Sequence, residues 1–186
     1  GVTAIGGIVG KMSGTSTLHS VSNSATIIGQ SADSDHTDGN ISKVGGLVGS
    51  MAGTSTTELV RITNSSNHGN VYGENEVGGI AGDMANAKIG SIASSTNKTA
   101  ATYNNAKIEG NNYVGGIVGK VSGNVQLYNV YNTNEANTLN TYIADKDANG
   151  NVTGGLSDTE IATQIGYKEA LHGVVTGQNY VGGIVG

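Results

Sequence analysis

The sequence contains no cysteine, proline, phenylalanine or tryptophan, and these absences narrow what the chain can be. Without cysteine there are no disulfides and no thiolate metal sites. Aromatic residues make up 4% of the chain and all of them are tyrosine, so an ordinary globular core would lack its usual large side chains. The chain must therefore bury its apolar surface in some more regular way.

Positive charge and long apolar runs are also scarce. The chain has 9 Lys and Arg residues against 14 Asp and Glu residues, which gives a net charge of −5 and a pI of about 5.2. No basic patch is available to bind a phosphate backbone, so nucleic acid is excluded as a predicted partner. No apolar run approaches the roughly 20 residues of a transmembrane helix, so we predict no membrane span.

Glycine, in contrast, is abundant and falls at fixed positions: it accounts for 31 of the 186 residues. One six-residue phrase, typified by Val114-Gly115-Gly116-Ile117-Val118-Gly119, recurs at 5–10, 44–49, 77–82, 114–119 and 181–186. Its glycine pairs, which we predict to be structural repeat positions, are Gly6 and Gly7, Gly45 and Gly46, Gly78 and Gly79, Gly115 and Gly116, and Gly182 and Gly183. A recurrence of this kind indicates a repeat protein.

The repeats organise the whole chain as one predicted segment, 1–186. Three copies align without a gap at 68–82, 105–119 and 172–186, and the first copy joins this frame through Ile27-Ile28-Gly29. A degenerate copy is predicted at 152–157, and insertions are predicted at 30–43 and 129–166. Because the chain starts without Met and ends on the repeat phrase, we expect it to be a segment of a longer protein.

Each repeat contains short β-branched runs separated by Gly or Asn, which is typical of short strands joined by turns. We predict an all-β, right-handed parallel β-solenoid (β-helix) of about five or six coils, in which Val71, Val77 and Ile80 stack on their equivalents about 4.8 Å away. The Asn-rich spacer 64–69 suits a corner. The one helical signal is a capping box at 157–160 that begins a short helix ending before Gly166.

These residues resemble the GLUG motif, which is named for its Gly-Leu-x-Gly core. The closest match is Val44-Gly45-Gly46-Leu47-Val48-Gly49, and the upstream Asn67-His68-Gly69-Asn70-Val71-Tyr72-Gly73 resembles the rest of the family signature. The resemblance covers most of the chain outside 129–166. It implies a secreted or surface-attached bacterial protein, of the kind found among haemagglutinin-like adhesins, two-partner-secreted exoproteins and the non-catalytic part of immunoglobulin A1-specific metallopeptidases.

Candidate chemistry is limited. None of the four histidines lies in a His-Glu-x-x-His motif, so the peptidase site known in the family is absent, and we predict no catalytic residues. Asp145, Asp147 and Asn149 match the first half of an EF-hand loop and are predicted to bind calcium weakly, although the loop has Leu156 where the bidentate Glu would stand. The alternative is an Asn-Gly turn with solvated acids. Apart from this calcium ion, no cofactor is predicted.

We therefore predict a non-enzymatic segment of a bacterial surface or secreted adhesin that acts as a rigid stalk or presentation scaffold. Its predicted location is extracellular or on the cell surface, and its predicted partner is a host-surface protein or glycan. One alternative is a non-catalytic scaffold region of an immunoglobulin A1-type metallopeptidase. Another is a structural filament in which neighbouring copies stack end to end through exposed strand edges.

Overall fold

The structure is a computed structural model that describes residues 4–29, 42–91, 101–133 and 174–186, together with the backbone at 145–146 and 152–154. Throughout these residues the regular structure is β-strand, and most strands pair in parallel. The predicted all-β class is confirmed. The helix predicted at 157–165 lies outside the described residues.

Four parallel sheets hold nearly all of the strands, and we name them A to D in the order in which the chain enters them. Sheet A contains β1 (Ala4–Gly6), β6 (Lys43–Gly45), β11 (Asn75–Gly78), β15 (Asn112–Gly115) and β21 (Asn179–Gly182). Sheet B contains β2 (Val9–Ser13), β3 (Thr17–His19), β7 (Val48–Ala52), β8 (Val60–Thr63), β12 (Ala81–Ile89) and β16 (Val118–Leu127). Sheet C contains β4 (Ser22–Asn23), β9 (Ser66–Asn67), β13 (Thr102–Asn104) and β17 (Val130–Asn132). Sheet D contains β5 (Ile27–Gly29), β10 (Val71–Gly73), β14 (Ile108–Glu109) and β20 (Val175–Thr176).

The chain enters these sheets in the same order each time, and we call one passage from A to D a circuit. Circuits 1 to 4 begin at β1, β6, β11 and β15, and β21 begins circuit 5. Equivalent residues lie directly opposite each other: Val77 pairs with Val44 on one side and with Val114 on the other. The predicted columns are confirmed, as is the junction of the first copy, since Ile27 to Gly29 pair with Val71 to Gly73.

Sheet B changes along the chain. In circuits 1 and 2 it is built from two short strands, whereas β12 in circuit 3 is continuous over 9 residues. β7 and β8 both pair with β12, and β16 pairs with it along its other edge. The register against β16 shifts between Ala85 and Ala87, where Asn86 has a positive φ of 48°. The bulge admits one extra residue without ending the pairing.

Two buried apolar clusters lie between the sheets. The larger contains Leu47, Val48, Met51, Val60, Ile62, Ile80, Ala81, Met84, Ala87, Ile89, Ile117 and Val118, with Met12 at its margin. The smaller contains Val44, Val71, Val77, Ile108 and Val114. The Gly-rich phrases of circuits 2 to 4 therefore each contribute their first valine to the smaller cluster and the two residues after their glycines to the larger one.

Those two residues are consecutive in sequence, yet both are buried, because the backbone bends there. The amide N–H groups of Ile80 and Ala81 donate to the same carbonyl oxygen, that of Ile117, at 2.9 and 3.0 Å. Leu47 and Val48 share the carbonyl of Ile80 in the same way. Two adjacent donors can converge on one acceptor only where the period-two alternation of a strand is broken. The phrase is thus a corner between sheets A and B.

The described part of 129–166 shows how this predicted insertion begins. Val130–Asn132 is a strand of sheet C that pairs in register with Thr102–Asn104. Two further strands, β18 (Asp145–Lys146) and β19 (Val152–Gly154), form an antiparallel pair outside sheets A to D. The described residues of the predicted degenerate copy at 152–157 therefore belong to this pair. Lys43, the last residue of the predicted insertion 30–43, is the first residue of β6.

Candidate functional site: an internal amide ladder and two surface cavities

Four asparagines, one from each of circuits 1 to 4, form a ladder of hydrogen bonds on the buried face of sheet C. Nδ2 of Asn23 donates to Oδ1 of Asn67 at 2.8 Å, and Nδ2 of Asn67 donates to Oδ1 of Asn104 at 2.8 Å. Nδ2 of Asn104 continues the ladder to Oδ1 of Asn132 at 2.9 Å. Asn67 and Asn104 are fully buried. Because an unsatisfied buried amide costs about 1–3 kcal/mol, the ladder keeps these circuits in register.

The same asparagines also close the corner between sheets C and D. The side chain of Asn67 donates to the carbonyl of Gly69 at 2.8 Å and accepts from its N–H at 3.3 Å. Asn104 makes the equivalent bond to the carbonyl of Ala106 at 2.9 Å. A side chain that bonds the backbone two residues later replaces a backbone turn. The predicted corner 64–69 is confirmed in part: it holds the strand Ser66–Asn67, with Asn64, at a positive φ of 49°, between sheets B and C, and the Asn67–Gly69 turn between sheets C and D.

The ladder explains the second glycine of each Gly-Gly pair. A Cβ atom on Gly79 would lie 2.5 Å from Cγ of Asn104, which no side chain tolerates. The same conflict recurs between Gly7 and Asn23, Gly46 and Asn67, and Gly116 and Asn132. The first glycines have a different neighbour, because a Cβ there would meet a backbone carbonyl oxygen of their own corner; these pairs are Gly45 and Val48, Gly78 and Ala81, and Gly115 and Val118. Each pair thus has two separate packing requirements.

A second, outer ladder runs along the start of sheet A. Nδ2 of Asn112 donates to Oδ1 of Asn75, and Nδ2 of Asn179 donates to Oδ1 of Asn112, both at 2.8 Å. Beside it, the rings of Tyr113 and Tyr180 stack with centroids 4.7 Å apart and an interplanar angle of 5°. Both tyrosines adopt positive φ, at 50° and 52°. This backbone conformation turns their side chains out of the sheet at equivalent points of successive circuits.

Ion pairs between charged side chains join circuits 2, 3 and 4 near the corner between sheets A and B. Lys43 Nζ lies 2.7 Å from Oδ2 of Asp83, and Lys120 Nζ lies 3.0 Å from Oε1 of Glu76. The hydrogen bond that Lys120 donates to Glu76 raises the pKa of Lys120 above its ordinary value. The ammonium also lies 4.8 Å from the centroid of the Tyr113 ring. Positive, negative and positive charges therefore alternate along the stacking direction.

One surface cavity is a polar groove of about 420 Å³ at the corner between sheets D and A, lined by Gly73, Glu74, Asn75, Glu109, Gly110, Asn111 and Asn112. Its floor is the glycine column, where a Cβ on Gly110 would meet the side chain of Val77. Lys107 Nζ binds Oε2 of Glu109 at 2.6 Å, and this hydrogen bond raises the pKa of Lys107. The groove is polar and partly charge-compensated.

A second cavity, of about 410 Å³, lies beside β13 and β17 of sheet C. It is lined by Ala101, Tyr103, Tyr131, Asn132 and Thr133, and none of these side chains is charged. We call it the tyrosine cavity. The two cavities therefore differ in chemistry, one being acidic and polar and the other aromatic and neutral.

The residues predicted to bind calcium cannot be placed as a site. Asp147 and Asn149 lie outside the described residues, and for Asp145 the structure describes only the backbone, in β18. In the described ranges no group of three or more His, Asp or Glu residues is arranged to hold a metal ion. In the same ranges the structure contains no helix that is long and apolar enough to cross a bilayer.

Comparisons of this chain with protein-family models, with curated proteins and with solved structures gave no match. The function must therefore be argued from the fold, the ladders and the two cavities.

Proposed function

We propose that sheets A to D are the faces of a right-handed parallel β-solenoid of about five or six coils, each coil being one circuit. The support for this proposal is the fixed order of the sheets and the exact register of equivalent residues, such as Val44, Val77 and Val114. In such an architecture each coil contacts only its neighbours, and length can be added without changing the core.

On this basis we propose that the chain is a non-enzymatic stalk or presentation segment of a bacterial surface or secreted adhesin. The observation that carries the proposal is the buried amide ladder Asn23–Asn67–Asn104–Asn132, which runs along the stacking direction. Buried polar networks that are fully hydrogen-bonded favour one register over its alternatives. A segment built this way resists sliding and bending between coils, as a stalk requires.

Joining two copies in frame tests the stalk proposal. Gly186 of the first copy is followed directly by Lys11 of the second, so that the repeat phrase is kept. The second copy then adds four circuits, and small-angle X-ray scattering should show one rigid particle that is longer by roughly 19 Å, at about 4.8 Å per circuit. The matched control joins the same copies through a flexible Gly/Ser linker. Scattering from the in-frame protein that matches the flexible control would contradict the proposal.

A specific observation also favours the self-stacking alternative. Core positions of the phrase are exposed in the first and last circuits: Ile8 is 44% exposed, Val181 is 45% exposed and Ile184 is 37% exposed. Another circuit of the same motif would cover them, with strand edges pairing as they do within the chain. Sedimentation velocity over a range of concentrations tests this alternative. A chain that stays monomeric at every concentration would contradict self-stacking while leaving the stalk proposal intact.

A further inference from the structure

We propose that the tyrosine cavity is a binding site for a neutral oligosaccharide whose sugar rings carry equatorial hydroxyl groups. The inference deepens the adhesin proposal, because it names a ligand class for one surface of the segment. It depends on three features of the described residues: an unpartnered ring, a departure from the repeat column, and the absence of charge in the lining.

The ring of Tyr131 differs from the other described tyrosines. Five of the six described tyrosine rings have a ring or cation partner: Lys107 lies over Tyr72, Lys88 over Tyr128, His68 packs edge-on against Tyr103, and Tyr113 stacks on Tyr180. Within the described chain, the ring of Tyr131 contacts no such partner and its side chain is 42% exposed. Its hydroxyl donates to Oδ1 of Asn129 at 2.6 Å, which fixes the direction of the ring.

The position of Tyr131 in the repeat shows that stacking does not require an aromatic residue there. Tyr131 lies directly opposite Tyr103, which lies opposite Ser66, and Ser66 lies opposite Ser22. The column is therefore serine in circuits 1 and 2 and tyrosine in circuits 3 and 4. Serine supports the same backbone pairing, so the two tyrosines are a local feature of this surface. Adjacent parallel strands are about 4.8 Å apart, and the two side chains share one face of the sheet.

The chemistry of the lining selects the ligand class. Ala101 and the two tyrosines provide apolar and aromatic surface, and the polar residues of the lining are Thr133 and Asn132, whose Oδ1 accepts from Asn104 in the ladder. A sugar ring with equatorial hydroxyls has an apolar C–H face that can lie on an aromatic ring, while its hydroxyls point outward to polar partners. The lining residues carry no charge to bind an ionic ligand, unlike the groove beside Glu74 and Glu109. A neutral, flat oligosaccharide fits this combination.

The binding experiment uses the whole 186-residue chain and chitotetraose as the probe, with the tyrosine ring signals followed by NMR. Tyr131→Ala should weaken binding by at least about tenfold, as expected when a central aromatic contact is removed. Tyr131→Phe keeps the ring and should bind within about twofold of the original chain. Tyr180→Ala removes a tyrosine that lies outside the cavity and is 67% exposed, and it should leave binding unchanged.

Two results would overturn the inference: chitotetraose that does not shift the Tyr131 signals, or binding that survives Tyr131→Ala. Circular dichroism of each variant shows that the β-structure is retained, so that a loss of binding is not a loss of folding. The outcome is separate from the stalk proposal. A chain that binds no sugar can still extend in frame as a rigid particle, and a sugar-binding chain can fail that scattering test.

Discussion

The central and terminal circuits carry the same phrase but bury it to very different extents. Leu47, Ile80 and Ile117 occupy one column and are fully buried, whereas Ile8 and Ile184 occupy the same column and are 44% and 37% exposed. The local sequence is alike in all five circuits, and circuits 1 to 4 each donate the same corner hydrogen bonds to the circuit that follows. What differs is the presence of a neighbouring circuit on both sides.

This comparison shows that a single copy of the phrase contributes little to the stability of the fold unless neighbouring circuits cover it. Burying a large aliphatic side chain is worth about 1.5–3 kcal/mol relative to leaving it exposed, and only stacking provides that burial here. Interior glycines cost about 0.5–1 kcal/mol each, so an isolated circuit would be unstable. Substitutions at equivalent positions of central and terminal circuits should therefore have unequal effects, and the difference can be measured.

The largest difference is expected in the column of the second glycines. Gly79→Ala places a methyl group against Cγ of Asn104 and the carbonyl of Gly116, whereas a Cβ on Gly183 meets nothing within 4 Å. We expect Gly79→Ala to cost more than about 3 kcal/mol or to prevent folding, because the obstacle includes backbone. Gly183→Ala should change the free energy of unfolding by less than about 0.5 kcal/mol. Urea unfolding of both variants measures this, and equal losses would refute the packing role of the ladder.

A smaller difference is expected for the apolar column. Ile117→Ala removes a fully buried side chain from the larger cluster and should cost about 3–4 kcal/mol. Ile184→Ala removes a side chain that is 37% exposed and should cost about 1 kcal/mol. Both substitutions keep the backbone hydrogen bond that joins the two residues, so the comparison isolates burial. If Ile184→Ala proved as costly as Ile117→Ala, a further circuit or a second chain would have to cover the end.

Much of the fold could be predicted from the sequence, because the repeat phrase is easily recognised in each circuit. Val44, Val77, Val114 and Val181 are 33, 37 and 67 residues apart, yet each begins a copy of the phrase and the structure places them opposite each other. The Val77 column therefore followed from alignment of the phrase. An all-β class was predictable for the same reason, since runs of three to six residues between turn-formers are too short for helices.

The amide ladder was not predicted, although its signal was in the alignment. Asn67 and Asn104 immediately precede the aligned segments that begin at 68 and 105, but the equivalent residue before 172 is Leu171. The fourth member is instead Asn132, which lies 28 residues beyond Asn104 and before the antiparallel pair of β18 and β19. An alignment without gaps could not find it. The structure identifies it because a hydrogen bond depends on proximity in space.

The inward side of the Gly-rich phrase could not be predicted either. Alternation would place only one of two consecutive residues inside, whereas Ile80 and Ala81 are both fully buried. The shared acceptor that turns the backbone is the carbonyl of Ile117, which belongs to the next circuit. Positive φ at Tyr113 and Tyr180, each the second residue of its strand, was likewise not predictable, since tyrosine has no intrinsic preference for it. Contacts between circuits determine the burial of Ile80 and Ala81.

The ladder itself should show the same contrast between centre and end. Asn67→Ala removes bonds to circuits on both sides and to Gly69, so we expect a loss of about 2–4 kcal/mol with several buried groups left unsatisfied. Asn23→Ala breaks the ladder at its first member and should cost about 1–2 kcal/mol. Urea unfolding at neutral pH measures both losses. Equal losses would mean that the corner bonds, which both residues make, account for the whole effect.

The smallest effect is expected for the ion pair between Lys120 and Glu76, because the Lys120 side chain is 46% exposed and solvent screens it. The pKa of Lys120 is raised above 10.5 in the folded chain, so its stabilisation is fully present below about 10.5 and is lost as pH rises through the folded-state pKa. Lys120→Met should lower the free energy of unfolding by less than about 1 kcal/mol at neutral pH, and this difference from the original chain should disappear above about pH 10.5.

Lys11 is the matched control, because it shares the column through Ser50 and Asp83 but makes no ion pair within the described residues. Lys11→Met should leave stability unchanged, and a gap for Lys120→Met that persists in alkali would assign its effect to packing on Tyr113 instead.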